Sequence, residues 1–495
     1  MKKINISKSS FMRGRQCHKA LWLHKHRPEL APQESVSRDA RKYEGTAIGK
    51  LACGLFPGGY EVPTDDWDNT DFNELLDLTD KYIEAGDAPI YEATISAAGV
   101  FVMVDILVPT EKGWEIYEVK GSTEVKSHHC HDAAIQYYAL KKAGLEISGV
   151  FIVHINNEYV RQGELDIRQL FTMADVSDEM MNLQTEIPGE LEEMQKTLQD
   201  GEPDIAIGLH CEKPYKCDFR EYCWKHVPEN SVLDITGRGK EERFGLCEKR
   251  VVAIADLPDD LSLTREQQIQ VEGVKTGKRV VNKDALSRFL NTLRYPLCFL
   301  DFETWGPAVP PFDNAKPYGL IPTQYSLHVL NSEEGKLRHY EYLADGRDDP
   351  RAQLTRRLVG QIPDDSCILV YNKNFEIRVL NALEQACPDY ADAVATIRDN
   401  IRDLMRPFCD KDYYTPPMKG RYSIKYVLPA LVPGMQYEGE VADGNAAMYA
   451  FAVLRETGDP IEREKLRRAL LEYCKQDTLA MVRILEKVRE AAASD

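Results

Sequence analysis

Four carboxylates and a tyrosine in the C-terminal part of this 495-residue chain have the types and spacing of a metal site. Asp301 and Glu303 stand two apart at the end of the apolar run Leu297-Cys298-Phe299-Leu300. Alternate residues of a strand share a face, so the two carboxylates project together, and a cation between them relieves their repulsion. Tyr473 and Asp477 stand four apart, on one face of a helix. Asp477 leads into Thr478-Leu479-Ala480-Met481, where a carboxylate is costly to bury unless paired or metal-bound. Between these motifs, Ile368 to Glu376 reads as a strand running into a helix, with Glu376 in its first turn. Asp403, in Ile401-Arg402-Asp403-Leu404, is the alternative middle acid. Hard oxygen ligands of this kind suit Mg²⁺ or Mn²⁺. Two such ions ~3.5–4 Å apart serve phosphodiester hydrolysis, one helping to form hydroxide and the other stabilising the leaving oxygen.

A second constellation lies near the N-terminus. Val100–Val108 is an apolar strand interrupted by Asp105, and a turn at Thr110–Gly113 leads into Trp114–Lys120. Glu118 and Lys120 share a face of that strand, and a hairpin brings Asp105 beside them. Glu92, one strand earlier, is a possible further ligand. Four cysteines flank this core: Cys17 on one side, and Cys211, Cys217 and Cys223 on the other, with five residues between neighbours. Four thiolates suit iron–sulfur or zinc. Their spacing differs from the short Cys-x2-Cys pattern of zinc knuckles.

The elements that must position these groups divide the chain into three parts. Residues 1–226 read as mixed helix and strand. Residues 227–293 form a polar connector with short helical patterns at Leu263–Val271 and Lys283–Leu293, the second capped by Asn282 or Asp284. Residues 294–495 alternate strands (Ile321–Leu330, Cys367–Tyr371) with helices. They end in a long helix announced by Asp459 as cap and Pro460 at the first helical position. The fold class is therefore α/β, with mixed α+β character.

The remaining cysteines, such as Cys298, Cys367, Cys387 and Cys474, sit in apolar runs and read as buried thiols. The net charge of −18 argues against coating a polyanion through a whole-protein field, although a local patch suffices for binding. Lys2, Lys3, Lys8, Arg13, Arg15, Lys19, Lys25 and Arg27 precede the first acid, Glu29, and read either as such a patch or as a solvated arm. No window suits a membrane span, and the first residues lack the apolar core of a signal peptide, so cytoplasm is expected.

Taken in order, Asp-x-Glu on a first strand, Asn-x-x-Phe-acid in the middle and Tyr-x-x-x-Asp on a last helix resemble the DEDD exonuclease superfamily, with its ribonuclease-H-like, DnaQ-like fold. The tyrosine points to the DEDDy branch. The middle acid there is usually aspartate; here it is Glu376. The resemblance implies that Asp301 bridges two metals, that Glu303, Glu376 and Asp477 share the remaining ligation, and that Tyr473 orients the attacking water. The Asp105…Glu118-x-Lys120 arrangement resembles the PD-(D/E)XK nuclease core, in which the acids hold metal and the lysine steadies the hydroxide or phosphorane. With the one-plus-three cysteines it resembles the iron–sulfur RecB-type nucleases, including the AddB nuclease domain. That implies a [4Fe–4S] cluster on Cys17, Cys211, Cys217 and Cys223. The histidine often found after a glycine in such families is missing from Gly45–Lys50, and the Gln-x-x-x-Tyr motif is replaced by Gln136-Tyr137-Tyr138. His128, His129 and His131 read as loop residues facing solvent.

Nearly the whole chain, including Tyr295-Pro296 and Gln324-Tyr325-Ser326-Leu327-His328, resembles the bacterial domain-of-unknown-function family 2779. The expectation is a metal-dependent nuclease acting on nucleic acid, DNA rather than RNA, with a 3′-5′ exonuclease domain and a second nuclease site. The rivals are a nucleic-acid-binding scaffold with decayed sites and a zinc-stabilised binding protein.

Overall fold

The computed structural model describes residues 5–32, 36–63, 71–435, 441 and 443–494. It is a mixed α/β structure that divides into two units, Met1–His226 with Pro307–Tyr318, and Val227–Gly306 with Gly319–Asp495. The segment expected as a connector, 227–293, folds with the second unit. Within it the helices run Arg265–Thr276 and Lys283–Leu290, and the Asn282 side chain caps the second by accepting from Ala285 N–H. Among the described residues, no helix is long and apolar enough to cross a membrane.

The first unit is built on a sheet of seven strands among the described residues. Ile90–Ala97, Val100–Thr110 and Gly113–Lys120 form an antiparallel meander, and Gly113–Lys120 then pairs in parallel with Ile147–Ile155. Val100, Val102 and Val104 are buried in one core, the period-two pattern of a strand with a packed face, and beyond Asp105 that core is joined by Leu107 while Ile106 packs in another. Ala133, Ala134 and Ile135 of the helix Ser127–Lys142 pack into the same core as Leu107 and Ile116. Pro307–Tyr318 joins this unit through backbone and side-chain bonds: Ala308 N–H donates to Glu44, and Arg161 donates to the carbonyls of Pro310 and Pro311.

From Lys8 to Lys19 the N-terminal basic run is not a solvated arm. It forms the helices Lys8–Gln16 and His18–His26. Its cations pair with acids of the same unit: Lys8 with Glu118, Arg13 with Asp218, Arg15 with Glu190 and Lys19 with Glu202. A cation spent in this way adds little to a field that attracts phosphates. Lys2 and Lys3 lie outside the described residues.

In the second unit, the strand Leu297–Trp305 is the middle of a five-stranded sheet. It runs antiparallel to Ile321–Leu330 and parallel to Cys367–Val370. Its side chains divide by parity. Cys298, Leu300 and Phe302 pack with Val379, Leu380 and Leu470, whereas Leu297 and Phe299 pack with Ala480, Met481 and Ile484 of the helix Pro460–Ala493. Asp301 and Glu303 continue the second of these faces. The strand therefore delivers its two carboxylates one turn along that helix from Met481, where Asp477 stands. Cys298, Cys367, Cys387 and Cys474 are buried free thiols, as their apolar surroundings in the sequence require.

Candidate metal sites

In the second unit, carboxylate oxygens of Asp301, Glu303 and Asp477 all lie within 4.8 Å of one another. With Glu376, Tyr473 and Asn372 they line a pocket of about 210 Å³. At about 30 Å³ per water in the liquid, that is room for ions with their hydration or for a phosphate group. Glu376 is 1% exposed, and its buried Oε2 has no hydrogen-bond partner among the described residues. A carboxylate oxygen left so is costly unless a cation or a proton satisfies it. Burial, and then the neighbouring Asp477, Glu376 and Glu303, hold Asp301 well above the ordinary carboxylate range. Burial and Asp477 push Glu303 up to about 8, and burial raises Glu376 in the same direction. The residues thus fit divalent cations: hard oxygens converge, and their charge is tolerated only with a counter-charge. The Tyr473 hydroxyl is raised by burial and then by Asp477, so it stays protonated and able to orient water.

The two candidate middle acids separate by their hydrogen bonds. Asp403 accepts from Asn372 N–H and Met405 N–H, both at 3.0 Å, and from Lys373 N–H at 3.2 Å. It is occupied in holding the strand-to-helix turn, where Asn372 adopts a left-handed φ of 75° that asparagine tolerates. Glu376, one turn into the helix Lys373–Ala386, reaches the pocket instead.

In the first unit, the hairpin forms with Thr110 opposite Gly113. That register places Glu118 across from Asp105. The register of the neighbouring strand places Glu92, at a kink with φ 58°, on the other side of Asp105. Asp105 Oδ2 accepts from Val119 N–H at 2.6 Å. Lys120 Nζ donates to Glu118 Oε1 at 2.7 Å and also to Asp132. Gln136 Nε2 donates to Glu118 Oε2 at 2.7 Å, and Lys8 Nζ donates to Oε1 at 2.8 Å. Burial raises Asp105 to about 7, with Glu118 adding to it and the lysines opposing. Against burial, Lys120 and Lys8 hold Glu118 well below its usual range. Asp105 and Glu118 are aligned across the hairpin, with Asp105 kept partly protonated, but both Glu118 oxygens already accept from side-chain donors, and among the described residues the close convergence of three carboxylates is seen in the second unit and not here.

Sequence reading missed Lys8 and Asp132. Asp132 stands four residues before Gln136, so helical spacing alone places it on the face that meets Glu118. Nothing in the sequence distinguishes Lys8 from its basic neighbours. His128, His129 and His131 lie on the helix Ser127–Lys142 and not in a loop, and His129 is buried, with its Nδ1 accepting from Lys126 N–H.

Cys17, Cys211, Cys217 and Cys223 line one pocket with Ala20 and Phe219. Cys17 caps the helix Lys8–Gln16, and Cys217 N–H donates to the Cys211 carbonyl at 2.9 Å. All four are free thiols. Burial raises Cys17, Cys223 and Cys217, the last to about 11, and the other three sulfurs add to the rise at Cys217. Four thiols that line one pocket, with burial raising Cys17, Cys217 and Cys223, are donors of the type that a thiophilic metal centre stabilises as thiolates.

No curated protein matches the chain. Residues 298–423, a stretch that holds Asp301, Glu303, Glu376 and Asp403, match the family model described as Domain of unknown function (DUF2779), which covers about a quarter of the chain.

Proposed function

We propose that this chain is a metal-dependent nuclease with two sites: a DEDD-type, ribonuclease-H-like exonuclease in the second unit, and a PD-(D/E)XK, RecB-like site in the first. The observation that carries the reading is the meeting of Asp301, Glu303 and Asp477 within 4.8 Å, beside a buried Glu376 oxygen that lacks a hydrogen-bond partner among the described residues. Asp301, Glu303, Glu376 and Asp477 would hold the ions, and the Tyr473 hydroxyl positions the attacking water. Bound there, Mg²⁺ or Mn²⁺ supplies the charge that favours hydroxide and stabilises the departing oxygen. In the first unit, Asp105 and Glu118 would hold metal, and Lys120 faces the charged phosphate oxygens. The exonuclease polarity, 3′ to 5′, and the preference for DNA follow from the resemblance.

The four cysteines would hold a [4Fe–4S] cluster that ties the helix Lys8–Gln16 to the 211–223 segment. Its role is structural: it joins parts of the unit far apart in sequence.

The test is incubation of purified protein with end-labelled DNA and RNA, with and without Mn²⁺, beside iron and sulfide analysis of an anaerobic preparation. Metal-dependent release of mononucleotides from 3′ ends, from protein with equal iron and sulfide, is expected. No cleavage of any labelled substrate in Mn²⁺ would favour the scaffold reading, and stoichiometric zinc without iron would replace the cluster.

A further inference from the structure

The acidic site of the first unit carries more positive charge than a single ion pair requires. Lys120 Nζ and Lys8 Nζ both donate to Glu118 Oε1, at 2.7 and 2.8 Å. Gln136 occupies the other oxygen at 2.7 Å. Lys8 Nζ also lies 3.9 Å from Asp132 Oδ1, and Lys120 bonds the second oxygen of Asp132. Lys8 comes from a different element, the helix Lys8–Gln16, and reaches Glu118 across 110 residues of sequence. Two ammonium groups on one carboxylate oxygen repel each other, and the arrangement holds only because further carboxylates demand the charge. Glu118 and Asp132, with the partly protonated Asp105 and the neighbouring Glu92, bring more negative charge than the two lysines answer. In the second unit, by contrast, Asp301, Glu303, Glu376 and Asp477 crowd together and one Glu376 oxygen has no partner among the described residues.

We propose that Lys8 is a tethered counter-ion of the first unit's site: its ammonium, shared by Glu118 and Asp132, stands for the charge of a second divalent ion. The site therefore takes one divalent ion, and Lys8 sets how tightly it is held. This rests on the reading of Asp105 and Glu118 as metal ligands. Lys8 is a positioning residue in this scheme, acting through Glu118.

Mn²⁺ binding to the full-length chain tests the proposal, measured by electron paramagnetic resonance of the free ion. Asp301→Asn with Asp477→Asn weakens the other site, and Glu118→Gln on that background identifies the share that belongs to this one. One Glu118-dependent Mn²⁺ per chain is expected. Lys8→Met should tighten it at least about tenfold, or admit a second ion, because a competing charge within a few ångströms is removed. Lys8→Arg should leave the affinity close to that of the parent. Thermal melts in chelator report folding, and Lys8→Gln replaces Lys8→Met if the latter unfolds. Affinity unchanged or weakened in the neutral variants overturns the role of Lys8 while leaving the metal site standing. Absence of any Glu118-dependent Mn²⁺ in parent and variants alike overturns the ligand reading, and the proposal with it.

Discussion

Glu118 and Glu376 are equally buried, each 1% exposed, yet their surroundings are opposite. Three side-chain donors from three different elements cover both oxygens of Glu118. Glu376 has an oxygen with no hydrogen-bond partner among the described residues, and its near neighbours are other acids. Burial penalises both anions. In the first unit lysines offset the penalty, and Glu118 falls below its usual range. In the second, burial and acid–acid repulsion act together, and Asp301, Glu303 and Glu376 all rise. The lesson concerns what each cluster lacks. A cluster whose carboxylates are bonded by its own ammonium groups is stable without a visiting ion, whereas one in which burial and acid–acid repulsion outweigh the opposing Lys425 gains most from a divalent cation or from protons.

The comparison breaks first at Asp301. Asp301→Asn keeps the shape and removes the charge, and should slow 3′ trimming about 30-fold or more, ~2 kcal/mol of transition-state stabilisation. A substrate blocked only at its 3′ end should resist the second unit altogether. Continued trimming by Asp301→Asn, followed as mononucleotide release, would mean that the wrong cluster has been assigned.

The next break is at Lys120. Lys120→Ala should abolish internal or second-site cleavage and leave 3′ trimming at its parent rate, which a circular single-stranded substrate beside a linear one would separate. Loss of both activities in a folded variant contradicts two independent sites.

The third test sharpens the electrostatic contrast through pH. Glu303 is pushed up to about 8, above the ordinary carboxylate value, by burial and then by Asp477. Between these values the folded unit retains a proton that the unfolded chain releases, so stability falls as pH rises through that window. In chelator, the transition assigned to the second unit should lie about 5 °C or more lower at about pH 8.5 than at about pH 6, and Mn²⁺ should restore more at the higher pH. A transition temperature that rises with pH in chelator contradicts this. The smallest effect is expected for Tyr473→Phe, which removes a hydroxyl and no ligand. A few-fold fall in trimming with unchanged Mn²⁺ affinity fits the water-orienting role, and a fall as deep as that of Asp301→Asn does not.

Much of this is legible in the sequence, and unevenly so. Asp301 and Glu303 were readable because a strand alternates faces and four apolar residues precede them. Tyr473 and Asp477 were readable because their helix announces itself with Asp459 and Pro460. The hairpin of Asp105 and Glu118 was readable from its turn. Lys8 was not, because one lysine in a basic run carries no mark of its partner 110 residues away. The contrast between Glu376 and Asp403 was likewise invisible. Both are acids near the same strand ends, and only backbone geometry shows that Asp403 is committed to three N–H groups. The cations of the first helices read as a binding patch or a solvated arm because their acidic partners, Asp218, Glu190 and Glu202, lie so much later in the chain.

The helix Pro460–Ala493 has a consequence for the order in which the protein is made. Asp301 enters the growing chain early in the second unit, but Tyr473 and Asp477 belong to one of its last elements, and the strand Leu297–Trp305 rests its Asp301 face against that same helix. Domains fold as units during synthesis, and contacts between distant residues must wait for both partners. The carboxylate cluster of the second unit therefore cannot close on a ribosome-bound fragment that lacks this helix. An unfinished chain carries the Asp-x-Glu strand but no complete carboxylate cluster, so the proposed metal site there forms only with the helix that also completes the core.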